Sequence, residues 1–174
     1  DVVKLENVKD ESVDLIYTCH VLEHAQRQEA KDAMKRWRTV LKTGGTLRIS
    51  VPDLEAAFEH YICYKDLKAL ECFIYGSQKH PYDFHYTGWD FKSIERDLKE
   101  AGFSSVKRYD WRDTEHFFVD DFDHPYNDDE NKFSKVSFDD IADSNLQVKT
   151  KSSWISMLEH YFFSAWISTK DSIR

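Results

Sequence analysis

Residues 14–53 read "DLIYTCHVLEHAQRQEAKDAMKRWRTVLKTGGTLRISVPD". An extended run over Val13–Thr18, apolar at Val13, Leu15 and Ile16, is followed by a helical pattern. Ala30, Ala33, Met34, Trp37 and Leu41 recur at the helical period and make one buried stripe. Gly44-Gly45 is expected to end that helix, and Thr46–Val51 to form the next strand, stopped by Pro52. Strand, helix and strand in this order predict adjacent parallel strands joined by a right-handed crossover. The first strand ends in Cys19-His20-Val21-Leu22-Glu23-His24, and ligands of open α/β sheets sit outside the carboxyl ends of the strands. A thiol, two imidazoles and a carboxylate at that end are therefore candidates for chemistry.

Outward from this unit, Val2–Leu5 reads as a short strand and Lys9–Ser12 as a polar turn. Asp53 is placed to cap a second helix burying Leu54, Ala57, Phe58, Tyr61 and Ile62. After the aromatic loop "HPYDFHYTGWD", Asp90 caps a third helix with Phe91, Ile94, Leu98 and Ala101, closed by Gly102. Ser105–Tyr109 and Tyr161–Thr169 are further strands. The pattern predicts one α/β domain over 1–174, with an excursion over 110–150. Residues 110–140 hold eleven acidic and three basic residues.

A net charge of −8 argues against a nucleic-acid backbone as partner. The basic run Arg27, Lys31, Lys35, Arg36 and Arg38 follows a helix whose solvated side needs charges anyway. No apolar run approaches the roughly 20 residues of a membrane span, and no membrane partner is expected. Three cysteines without CxxC, Cys19, Cys63 and Cys72, suggest reduced thiols and a cytoplasmic location.

Three motifs in order carry a resemblance: His20–His24 ("HVLEH"), Phe84–Trp89 ("FHYTGW") and Leu98–Phe103 ("LKEAGF"). Asp1–Trp111 resembles the class I S-adenosylmethionine-dependent methyltransferases, most nearly the predicted subgroup with an "HVLEH" strand end. The resemblance implies a Rossmann-like, mostly parallel sheet, N-terminally incomplete, with Tyr161–Thr169 as the antiparallel closing strand. It fades beyond Trp111. It implies S-adenosylmethionine as cofactor and a small-molecule or glycan-like methyl acceptor. By the same resemblance Leu5 and Glu6 lie near the adenine, and Cys19 and His20 line the cleft beside the methionine sulfur. His20, His24 and His85 are the candidate catalytic bases, since histidine titrates near neutral pH.

The sequence also departs from that family. Its five glycines, Gly44, Gly45, Gly76, Gly88 and Gly102, include no G-x-G. The family's glycine-rich turn and ribose-binding carboxylate have no counterpart, as if about 25–40 residues of a βαβ unit were absent. Cofactor binding is thus expected to be weak or absent, and a truncated or degenerate non-catalytic interaction module is the alternative function. Without a dinucleotide fingerprint, a dehydrogenase is excluded. Loss of the family's neighbouring strand would leave Val13–Thr18 at a sheet edge, an invitation to homodimerise.

Each candidate has a structural reading too. Glu23 and His24 suit a helix start, Cys19 a small buried group, and His85 a backbone contact. No metal site is assigned. Asp120, Asp121, Asp123, His124, Asp128, Asp129 and Glu130 lack the glycine and terminal glutamate of a calcium loop. His20 and His24 share i, i+4 spacing but no H-E-x-x-H context.

Overall fold

A computed structural model of the chain describes residues 1–109, 114 and 115, and the backbone of 162–168. The acidic candidates between 120 and 130 lie outside the described residues. The elements in chain order are β1 (Val13–Cys19), α1 (Arg27–Val40), β2 (Leu41–Pro52) and α2 (Leu54–Tyr64). They continue with α3 (Glu71–Tyr75), α4 (Phe91–Glu100), β3 (Ser105–Arg108) and β4 (Phe162–Ser168).

The sheet order is β1-β2-β4-β3. β1 and β2 are parallel, with Leu15 opposite Thr46 and Cys19 opposite Ser50, as the strand–helix–strand pattern predicts. β4 inserts antiparallel between β2 and β3, pairing Thr46 with Ser168 and Ser105 with Ser168. Three of the four strands therefore share one direction and the closing strand opposes them. Among the described residues β1 stands at the end of the order, the edge to which the dimer expectation refers.

The α1 stripe packs as its spacing dictates. Ala30, Ala33, Met34 and Trp37 are buried against Leu47 and Ile49 of β2 and Ile94 and Leu98 of α4. Burying a side chain the size of Met34 or Leu47 contributes about 1.5–3 kcal/mol. Gln26 and Glu29 close a capping box at the start of α1. Asp90 and Ser93 do the same for α4, and Gly102 follows it at φ +98°.

Three local expectations are corrected. Val2–Leu5 is not a strand: the segment is turned, with Leu5 at φ 44°. Its carbonyls are taken by side chains of α1 rather than by a neighbouring strand. Trp37 Nε1 donates to the Val2 carbonyl at 3.1 Å, and Arg36 to those of Leu5 at 3.1 Å and Val8 at 2.5 Å. Gly44-Gly45 does not cap α1 either. The helix ends at Val40, and the pair lies inside β2, where pairing jumps from Val13–Leu41 to Leu15–Thr46. Gly44 takes φ +82° in that irregularity. On α2, Ala56, Ala57 and His60 are buried, whereas Phe58, Tyr61 and Ile62 are exposed. Small side chains face inward because the α3 segment, through Leu70, Phe73 and Ile74, packs on that side.

Candidate functional site

The site forms where β1 stops. His20 takes φ 52°, turning the chain out of the sheet, and its amide is held by the Ser50 carbonyl at 3.2 Å. Leu22–His24 then make one tight helical turn separate from α1. This turn holds the aromatic loop: the Glu23 carbonyl accepts the Tyr86 amide at 2.8 Å and the Thr87 amide at 3.3 Å. The Thr87 hydroxyl reaches the Ala25 carbonyl at 3.2 Å. Two motifs far apart in sequence are thereby bound into one unit.

Glu23 sits at its centre. The side chain is fully buried, and Oε1 lies 3.1 Å from His20 Nδ1. Oε2 is buried and has no hydrogen-bond partner among the described residues. His24 Nδ1 is 3.1 Å from the Phe84 carbonyl and His85 Nδ1 is 3.0 Å from the Phe73 carbonyl. A carbonyl oxygen only accepts, so each of these Nδ1 atoms carries a proton, and in the neutral tautomer that this fixes Nε2 is the lone-pair atom. The two rings meet edge to face, centroids 4.9 Å apart. Burial pushes the His85 pKa below its ordinary value, and the Glu23 charge pulls against that.

Sequence reading named all three histidines, and the structure gathers them around one carboxylate. It passed over Glu23 as a helix-start residue. The available signal was the spacing: Glu23 follows His20 by three and adjoins His24. Of the four residues placed at the cofactor, His20 lines a cavity of about 270 Å³ together with His24, Val3 and Tyr82. Glu6 lines a second, of about 610 Å³, with Val3, Gln26 and Arg36. Leu5 instead packs against the main core, and Cys19 is half-buried at the end of β1.

The residues present do not fit a whole S-adenosylmethionine molecule. No glycine lines either cavity, so neither offers the close backbone approach that the methionine end of the cofactor takes in this fold.

Comparison with known proteins divides the chain. The methyltransferase domain family matches residues 1–49, and the YidC periplasmic domain family matches residues 86–174, about half of the chain. Over residues 86–174 the chain thus belongs to the YidC periplasmic domain family, and its N-terminal residues 1–49 are similar to the methyltransferase domain family. It is 47% identical over 47 residues to the membrane protein insertase YidC of Actinobacillus succinogenes, covering 27% of this chain and 9% of that protein. The match to the Legionella pneumophila insertase is 52% identical over 42 residues, 24% of this chain and 8% of that one. The chain therefore spans less than a tenth of these relatives.

Among solved structures, a possible exported protein of Bordetella parapertussis superimposes with a TM-score of 0.53 at 14% identity, over 98% of this chain and 43% of that one. A chain of the Haloferax volcanii complex containing the Trm112 methyltransferase activator gives 0.52 at 13%, over 100% and 60%. These likenesses establish the fold. The two family signatures divide between residues 49 and 86, well before the boundary near Trp111 that the motifs marked, and the Leu98–Phe103 motif falls inside the second match. α4, β3 and β4 also fall inside the second match and complete the sheet of the first.

Proposed function

We propose that residues 1–109 are the acceptor side of a methyltransferase fold, directing methyl transfer to a small hydroxyl- or amine-bearing molecule, glycan-like in character. The carrying observation is the contact of His20 with the buried Glu23 at the rim of the 270 Å³ cavity. The carboxylate orients the ring through Nδ1, and Nε2 is the atom that would take the acceptor's proton. His24 and His85, engaged by backbone carbonyls, hold the loop against the strand end. S-adenosylmethionine would supply the methyl group, although the sequence holds no G-x-G turn for its methionine end.

The match of residues 86–174 to a second family favours the other reading, a non-catalytic module on a methyltransferase scaffold. Location divides in the same way. All three cysteines are free, which suits a reducing cytoplasm, whereas the second family is a periplasmic domain. No helix among the described residues is long and apolar enough to cross a membrane. A methyl-transfer assay at millimolar S-adenosylmethionine, with a panel of sugars and amines, separates the two readings. Transfer lost in His20→Asn supports the enzyme; no transfer to any acceptor supports the module.

A further inference from the structure

Glu23, His24 and His85 each offer one ligand atom, and the three atoms lie within 4.8 Å of one another. We propose that these residues form a binding site for a divalent transition-metal ion of the zinc class, tying the turn after β1 to the aromatic loop.

Three observations carry it. Glu23 is fully buried, and its Oε2 has no hydrogen-bond partner among the described residues while Oε1 is engaged by His20. A buried carboxylate oxygen left unsatisfied is costly, and native folds rarely keep one without an ion, a water or a proton to meet it. Both histidines donate Nδ1–H to backbone carbonyls, which leaves Nε2 as the lone-pair atom. That second contact is how metal-binding histidines are commonly fixed in tautomer and orientation. Finally, the cavity bounded by His20, His24 and Tyr82 gives an ion and its remaining water ligands a route to the cluster.

The donor set decides the class of metal. Two imidazoles and one carboxylate suit zinc, with a fourth position left for water, or iron and manganese in the same arrangement. Calcium and magnesium prefer oxygen ligands throughout. Sequence spacing alone does not show this site, because His85 arrives from a loop that backbone bonds from Glu23 hold in place. The inference stands independently of methyl transfer, since a metal can bind whether or not the chain is an enzyme.

The test uses the full 174-residue chain, stripped of metal by a chelator. It is titrated with Zn²⁺ by calorimetry and with Co²⁺ by visible absorption. One equivalent should bind, with cobalt d–d bands and no thiolate-to-cobalt charge transfer, and Zn²⁺ should raise the melting temperature where Mg²⁺ does not. Glu23→Gln and His85→Ala should each weaken Zn²⁺ at least tenfold, and His20→Asn, which removes only the partner of Oε1, by about 10–100-fold. Circular dichroism of each metal-free variant separates lost binding from lost folding. If the ligand variants do not fold, His20→Asn and the wild-type cobalt spectrum decide. Failure to bind stoichiometrically, a thiolate charge-transfer band, or variants that bind like the wild type would overturn the proposal.

Discussion

Arg108 of β3 places Nη1 3.1 Å from Oδ2 of Asp53, the residue that caps α2. Asp53 is buried, and its other oxygen accepts the Glu55 amide at 3.0 Å. One carboxylate thus fixes the start of α2 and binds β3 to the end of β2. The arginine is half-exposed and also lies over the Phe91 ring, 5.1 Å from its centroid. Asp53→Ala removes the cap and the ion pair together and should cost about 2–3 kcal/mol. Arg108→Met keeps the cap and should cost about 1 kcal/mol. Urea denaturation of the two variants checks both the sum and the order.

Gly76 and Gly44 share a positive φ, +79° and +82°, but not their surroundings. A Cβ at Gly44 meets nothing within 4 Å, whereas one at Gly76 would collide with the Asp83 backbone carbonyl. Left-handed backbone costs an L-residue about 1–2 kcal/mol. Gly44→Ala should lose about that much, and Gly76→Ala distinctly more because the loop carrying His85 must shift. The melting temperatures should fall in that order.

Trp89 donates Nε1–H to Oδ2 of buried Asp97 at 3.1 Å. Trp89 also bridges to Asp53 through the backbone, so this bond links the loop, α4 and the cap of α2. Trp89→Phe keeps most of the apolar contact and removes the donor. The loss should be about 1–3 kcal/mol, the cost of leaving a buried acceptor short of a partner. Equal stability of variant and wild type in urea would show that Arg96, 3.4 Å from Oδ1, and Lys31, 3.7 Å from it, already satisfy the carboxylate.

The Ser93 hydroxyl and amide hold the Asp90 pKa below the usual carboxylate value. A pKa depressed in the folded state contributes stability above the unfolded value of about 3.9 and loses it as pH falls through the folded one. The stability difference between wild type and Asp90→Asn should therefore be constant near neutrality and shrink below about pH 4. Guanidinium midpoints measured across pH 2.5–7 (on the order of one curve per half unit) give the profile.

What the sequence disclosed follows from the range over which each signal acts. The α1 stripe, the β1–β2 pairing and the caps Asp53 and Asp90 depend on residues close together in the chain, and they form as expected. Val2–Leu5 has strand-like residues, but Arg36 and Trp37 capture its carbonyls, a contact no local pattern announces. Phe58 and Ile62 match a helical stripe on α2, yet Ala56 and Ala57 face inward because the later α3 segment packs there. In the site, His20 and His24 were legible from one motif. The part played by Glu23 depends on burial, and its nearness to His85 depends on hydrogen bonds across the loop. The second family signature, which begins at residue 86, was not read from the sequence, where the change of composition after Trp111 suggested only an acidic excursion.

Cofactor affinity gives the strongest test of how this chain relates to its methyltransferase kin. An intact cleft of this fold holds the cofactor through a glycine-rich turn at its methionine end, a carboxylate on its ribose and contacts to its adenine. This sequence has no G-x-G, and neither cavity at the β1 end is lined by glycine. What is left is Glu6 on one cavity and His20 on the other, with the stretch around Val3 between them. Two polar contacts and a partial apolar wall do not offset the cost of immobilising a ligand of that size. The dissociation constant of S-adenosylmethionine for the 174-residue chain should therefore be weaker than about 1 mM, or roughly 4 kcal/mol. A micromolar constant corresponds to about 8 kcal/mol. The extra 4 kcal/mol would require several further well-placed donors, from residues beyond 109 or from a second copy of the chain. Isothermal calorimetry with S-adenosylmethionine and S-adenosylhomocysteine distinguishes these cases. Tight binding that vanishes on dilution would assign the missing groups to a second copy, and tight binding independent of concentration would assign them to the same chain.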